Sequence, residues 1–246
     1  MRRPLCSVDG LFAAIYRSTN ASTMGSLVSQ ARTAGLVVRL WALDAVVDDL
    51  KDVTIGVGPG EKFPLLNRLL ADVSRPAACL VVADDDVVLP GSSLIDFLYI
   101  ARRCCFGIAQ PAHLPSSLIS HQITRRRRWS IARLTTFVEI GPLFSVSAHW
   151  RNRVLPFPSD VGMGWGLEAA WMRLQAEGCR LGIVDATPMQ HVNPPNVSYV
   201  SPEDEFRSQQ ALRELGVRRW RDTQRTLDVW RPWHGEPAWC SDADLH

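Results

Sequence analysis

Short apolar runs alternate with segments of helical spacing along this chain, and that alternation constrains the fold more than any other feature. Leu11–Tyr16 reads as a first strand. Ser22–Ala34 follows with Met24, Leu27, Val28 and Ala31 on one side, the period of an amphipathic helix. Val37–Ala42 and Val53–Val57 are further strands, the latter closed by the Gly58-Pro59-Gly60 turn. Glu61–Val73 has helical spacing through Phe63, Leu66, Leu69 and Leu70. Ala77–Ala83 is apolar throughout, as a strand buried on both faces must be. Alternation of this kind predicts an α/β protein with a mixed, mostly parallel sheet flanked by helices.

The second half is less regular. Ser92 or Ser93 is placed to cap a helix running to Arg103, and Phe106–Gln110 is a strand. Pro111–Arg133 has no clear period and reads as an irregular excursion. Thr136–Ala148 reads as a strand pair or as one strand broken at Gly141-Pro142. Gly166–Glu177 is a helix closed by Gly178, Arg180–Val184 a strand, and Pro202–Leu215 a helix with Ser201 as its cap. The tail from about Arg218 to the end carries Trp220, Trp230, Trp233 and Trp239 and is expected to pack on the rest, giving one domain over residues 1–246.

Bulk properties exclude little. The net charge of +2 is too small to demand a polyanionic partner. No apolar stretch reaches the ~18 residues of a membrane span, and Asp9 interrupts what would be a leader. Six cysteines without a C-x-x-C pair are expected to be reduced thiols of a cytoplasmic protein. Gly56-Val57-Gly58-Pro59-Gly60 lacks the dinucleotide spacing, and Lys62 is not followed by the hydroxyl residue of a phosphate-binding P-loop.

The chemistry concentrates at Asp84-Asp85-Asp86, where the most apolar strand stops in three carboxylates. Adjacent like charges repel, and desolvating each costs several kcal/mol in rough terms. A divalent cation offsets this, and strand C-termini are where open α/β sheets hold ligands. From an extended backbone Asp84 and Asp86 point the same way. Oxygen ligation suits Mg²⁺ or Mn²⁺, which also bind diphosphate. A solvated acidic turn is the competing reading.

Four further features resolve it. Asp84-Asp85-Asp86 matches a D-x-D motif. Gly58 to Asn67 resembles the Gly/Lys/Asn segment that precedes that motif. Gly162-Met163-Gly164-Trp165-Gly166-Leu167-Glu168 resembles a glycine-rich W-G-x-E turn. His191 follows the strand ending at Val184-Asp185. In this order, over Leu11 to His191, they resemble the GT-A glycosyltransferases, β-1,4-galactosyltransferase-like and family 2-like members in particular.

That resemblance implies a Rossmann-like GT-A domain and a nucleotide-diphosphate sugar donor, a UDP-sugar favoured, with transfer to an acceptor hydroxyl by inversion. It implies metal ligation by Asp84, Asp86 and His191, and donor contacts from Arg17, Lys62, Asn67, Asp84, Asp85, Gly164, Trp165 and Gly166. Glu168 is the expected base. Ala169 and Ala170 stand where relatives carry a second carboxylate, so Asp160 is the alternative. His113, His121, His149 and His234 have no such context.

Arg125-Arg126-Arg127-Arg128 lies in the irregular excursion. It is expected to be a solvated loop, a lid over the donor, or a contact for an anionic acceptor such as a lipid phosphate or nucleic acid. A nucleotidyltransferase and a non-catalytic nucleotide-sugar binding module are the competing functions. The W-G-x-E turn and the late histidine favour glycosyl transfer.

Overall fold

A computed structural model describes residues 9–71, 79–158, 162–193 and 202–240. Its strands are β1 (Gly10–Tyr16), β2 (Leu36–Ala42), β3 (Thr54–Val57), β4 (Cys79–Ala83), β5 (Val87–Val88), β6 (Ile108–His113), β7 (Ala132–Thr135), β8 (Leu143–Ser147), β9 (Leu181–His191) and β10 (Thr226–Trp230). The helices are α1 (Ala21–Thr33), α2 (Lys62–Leu70), α3 (Leu94–Arg103), α4 (Ala148–Val154), α5 (Leu167–Gln175) and α6 (Pro202–Glu214). The sheet runs β10-β7-β9-β6-β8-β4-β1-β2-β3, and β5 pairs with β9 off this path. From the pairings, β7, β8 and β5 run against the other strands, so the sheet is mixed but mostly parallel.

Strand alternation sorts the core into two layers. Phe12, Ala14, Tyr16, Val81 and Ala83 face one side, under the apolar stripes of α1 and α3. Leu11, Ala13, Leu80 and Val82 face the other, under α2 and α5, where Phe63, Leu66, Leu69, Leu167 and Trp171 pack. This is why β1 and β4 are apolar at every position: both faces of the strand are covered. Ser93 caps α3, its hydroxyl accepting from the Asp96 amide.

Several elements depart from the sequence reading. The strand expected to stop at Val184 continues to His191, through Asp185 and Pro188. Its register with β6 shifts between Pro111 and His113, leaving residues 185–188 as extra length on β9. Asp185 is tolerated there because Arg133 meets it inside the protein, Nε to Oδ2 at 2.8 Å and Nη2 to Oδ1 at 3.0 Å. Within the strand or strand pair expected over Thr136–Ala148, only Leu143–Ser147 is extended, and Ala148 begins a short helix instead. The tail contributes β10, which pairs with β7. Farther on, Trp239 stacks on Phe106 and donates to the Cys104 carbonyl. The expected cap Ser201 lies outside the described residues.

The cysteines correct a second expectation. Cys105 and Cys240 are joined by a disulfide, so the six are not all reduced thiols. Cys79, Cys104 and Cys179 are free. Burial pushes Cys79 and Cys179 up to about 12, which keeps them as unreactive thiols.

Candidate active site

The parallel strands β1 and β4 end at the same edge, and the chain leaving β4 turns sharply through Asp84-Asp85-Asp86. The backbone there is a turn and not the extended segment expected, yet Asp84 and Asp86 still converge while Asp85 turns away. The Asp84 amide donates to the Pro142 carbonyl at 2.7 Å. The short β5 then pairs antiparallel with the end of β9, Val87 opposite His191. The amide of Val192 also donates to the Asp86 carbonyl. This two-residue ladder brings His191 to Asp86, Nε2 to Oδ1 at 2.9 Å.

Asp84, Asp86 and His191 each offer one ligand atom, all within 4.8 Å of one another. That spacing suits a cation with metal–ligand bonds of roughly 2.0–2.2 Å after a small contraction. Two carboxylates and an imidazole favour Mn²⁺ over Mg²⁺, which takes oxygen ligands almost alone. Desolvation pulls His191 down, but the hydrogen bond it donates to Asp86 and the charges of Asp86, Asp84 and Glu139 outweigh it and raise its pKa.

Asp85 points elsewhere. Its Oδ2 accepts from the Arg17 amide at 2.7 Å, tying the end of β1 to this turn. Burial raises its pKa, against the hydrogen bonds from Arg17 and the Asn20 side chain. Lys62, at the start of α2, pairs with Asp84 at 2.6 Å and donates to the Ile140 carbonyl at 3.4 Å. Residues 140–142 thus wrap Asp84. A Cβ on Gly141 would lie 3.1 Å from Asp84 Oδ2, so only glycine passes here without crowding the carboxylate.

Both polar ends of Asn67 are engaged by the Phe157 backbone, at 2.8 and 2.9 Å. It clamps α2 to the segment after α4. Gly164 has φ +99°, and a Cβ there would sit 2.1 Å from the Phe63 ring. Its missing side chain serves core packing. Gly166 precedes α5, and Trp165 is partly exposed at 38%. Asp160 lies outside the described residues.

Glu168, in the first turn of α5, is buried at 7% exposure. Desolvation pushes it up to about 8, although the backbone amides of Glu168, Ile140 and Gly166 donate to it. Burial thus favours its neutral, protonated form. Its pKa is raised on folding from an ordinary 4.5. Its contribution to stability is therefore full below about 4.5 and is lost as pH rises through about 8. Glu168→Gln removes that loss. Urea unfolding at pH 5 and pH 8.5 should show the variant gaining on the parent at the higher pH, by a few kcal/mol in order of magnitude. An equal difference at both pH values would show that Glu168 is not held neutral.

Sequence reasoning missed a polar chain beside the metal group. His113, buried at the end of β6, meets Glu139 Oε2 through Nε2 at 3.3 Å and Ser117 Oγ through Nδ1 at 3.0 Å. Ser117 Oγ also accepts from the His191 amide at 2.9 Å. The nearby His121 is buried, which lowers its pKa. Only the position of Glu139 just before Gly141-Pro142 hinted at this; the pairing depends on tertiary contacts.

The side chains of Arg125–Arg128 and Trp129 are exposed. Their backbone is braced, with the Arg127 amide on Asp185 Oδ1 at 2.8 Å and the Arg126 amide on the His113 carbonyl at 2.8 Å. Arg133 also donates to the Arg125 carbonyl. These anchors tie the exposed run to buried groups and form a basic shelf.

No protein-family model matches the chain, and neither does any curated protein. Solved structures do. GalNAc-T7 with UDP, GalNAc and Mn²⁺ superposes with a TM-score of 0.58 at 11% identity, covering 83% of this chain and 48% of that one. TarS of S. aureus gives 0.54 at 11% identity, covering 87% and 41%. The 1–349 form of TarS with UDP-GlcNAc gives 0.52 at 11% identity, covering 83% and 65%. The chain spans about half or less of the full-length neighbours. The fold is that of the GT-A glycosyltransferases.

Proposed function

We propose that this chain is a metal-dependent glycosyltransferase of one domain, moving a sugar from a UDP-sugar to an acceptor hydroxyl with inversion. The observation that carries the reading is the convergence of Asp84, Asp86 and His191 at the C-terminal edge of the sheet. The neighbours crystallised with UDP, UDP-GlcNAc or Mn²⁺ support it.

Asp84, Asp86 and His191 hold Mn²⁺ or, less suitably, Mg²⁺. Bound there, the cation neutralises charge on the departing nucleotide diphosphate. Lys62 lies against Asp84 and adds a second positive charge on the same side. Asp85 holds the Arg17 backbone at the end of β1, where the nucleotide enters. Trp165, exposed ahead of α5, offers a face for the sugar ring.

The Arg125–Arg128 shelf is proposed to receive an anionic acceptor, a lipid phosphate in preference to nucleic acid, because the exposed Trp129 beside it suits a membrane interface. No helix of the described residues is long and apolar enough to cross a membrane. A cytoplasmic setting, with peripheral contact at the membrane surface through the shelf, is proposed.

A thermal-shift panel of UDP-, GDP- and dTDP-sugars, with and without Mn²⁺, tests the assignment. UDP-sugars should raise the melting temperature only with Mn²⁺. A response to nucleotides without sugar selectivity would favour a nucleotidyltransferase. In a second arm, anionic lipid vesicles should bind in a salt-sensitive manner, and a preference for single-stranded oligonucleotide would overturn the lipid assignment.

A further inference from the structure

We infer that Glu139 is the carboxylate that takes the proton from the acceptor hydroxyl. This rests on the glycosyltransferase reading above.

The protein needs a base near the metal group. Asp84 and Asp86 are engaged in that group, Asp85 accepts from Arg17, and Glu168 is buried and protonated. Glu139 differs from all four. It directly precedes the 140–142 segment that wraps Asp84, and its charge acts on His191, His121 and Glu168. Its side chain keeps 13% exposure, so it borders both the metal group and solvent. Its amide is fixed by Gln110 Oε1 at 2.6 Å.

A carboxylate oxygen accepts, so the His113–Glu139 contact runs from Nε2–H to Oε2, while Ser117 Oγ meets His113 Nδ1 and accepts from the His191 amide. A carboxylate that accepts such a bond is held in one orientation. Its Oε1 has no hydrogen-bond partner among the described residues and remains for the acceptor. The same Ser117 fixes the backbone of His191, so one relay sets the base and a metal ligand in register. His113 and Ser117 act as positioning residues.

In the step, the acceptor O–H proton passes to Glu139 as the acceptor oxygen bonds to the anomeric carbon. The bond from that carbon to the diphosphate oxygen breaks, and its electron pair leaves with the nucleotide diphosphate. Water serves as the acceptor in donor hydrolysis.

The test uses the full chain with UDP-glucose, UDP-galactose, UDP-GlcNAc and UDP-GalNAc in Mn²⁺. Donor affinity is read by calorimetry and hydrolysis by UDP release. Glu139→Gln keeps an oxygen for the His113 N–H but cannot take a proton. It should bind the donor as the parent does and release UDP about 100-fold more slowly. Formate should restore part of the rate to Glu139→Ala, an effect that a merely structural role would not give. Parental UDP release from Glu139→Gln overturns the proposal while donor binding leaves the glycosyltransferase reading intact. A parent that binds donor but releases no UDP overturns it as well. A parent with no Mn²⁺-dependent binding of any UDP-sugar overturns both.

Discussion

Asp86→Ala should reduce Mn²⁺-dependent UDP-sugar binding by at least about 100-fold, a loss of roughly 3 kcal/mol. Asp86 is one of three ligand donors, and it is also the residue that orients His191 through the 2.9 Å contact. Its removal takes one ligand and loosens another, whereas Asp84 keeps Lys62 as a partner. Calorimetric titration with and without Mn²⁺ measures the effect. Metal-stimulated binding at parental affinity would remove the basis for placing the cation here.

The second large effect is expected far from the metal. Arg133→Met leaves Asp185 with 0% exposure and no cation, and breaking a buried pair in this way costs about 3–5 kcal/mol. The Arg127 amide remains on Asp185, but two of its charge-assisted bonds are gone. Urea denaturation should show the loss, and the double change Arg133→Met with Asp185→Leu should recover much of it, since both charges are then absent. A loss below about 1 kcal/mol for the single change would mean that water reaches Asp185.

The part of the molecule legible in the sequence is the part governed by local pattern. Strand and helix periods around β1, α1, β4 and α2 follow from which faces are covered, and the sheet has the mixed, mostly parallel form they imply. The grouping of Asp84, Asp86 and His191 could be anticipated because a charged end to an apolar strand is locally conspicuous. What could not be read depends on distant partners. The strand looks finished at Val184 until Arg133 is placed beside Asp185. The Asn67 clamp needs Phe157 in place. The raised pKa of Glu168 comes from its burial, and His113 looks idle until Ser117 and Glu139 flank it.

The Val87–His191 ladder has one more consequence. The carboxylates come from the fourth strand, while the imidazole arrives only when the ninth has been laid into the sheet. Closing that long loop must precede high metal affinity, so a truncated or half-assembled chain would present two aspartates and a poor site. Cation uptake therefore reports that the distant end of the protein has docked, and the bound ion in turn fastens the two regions together.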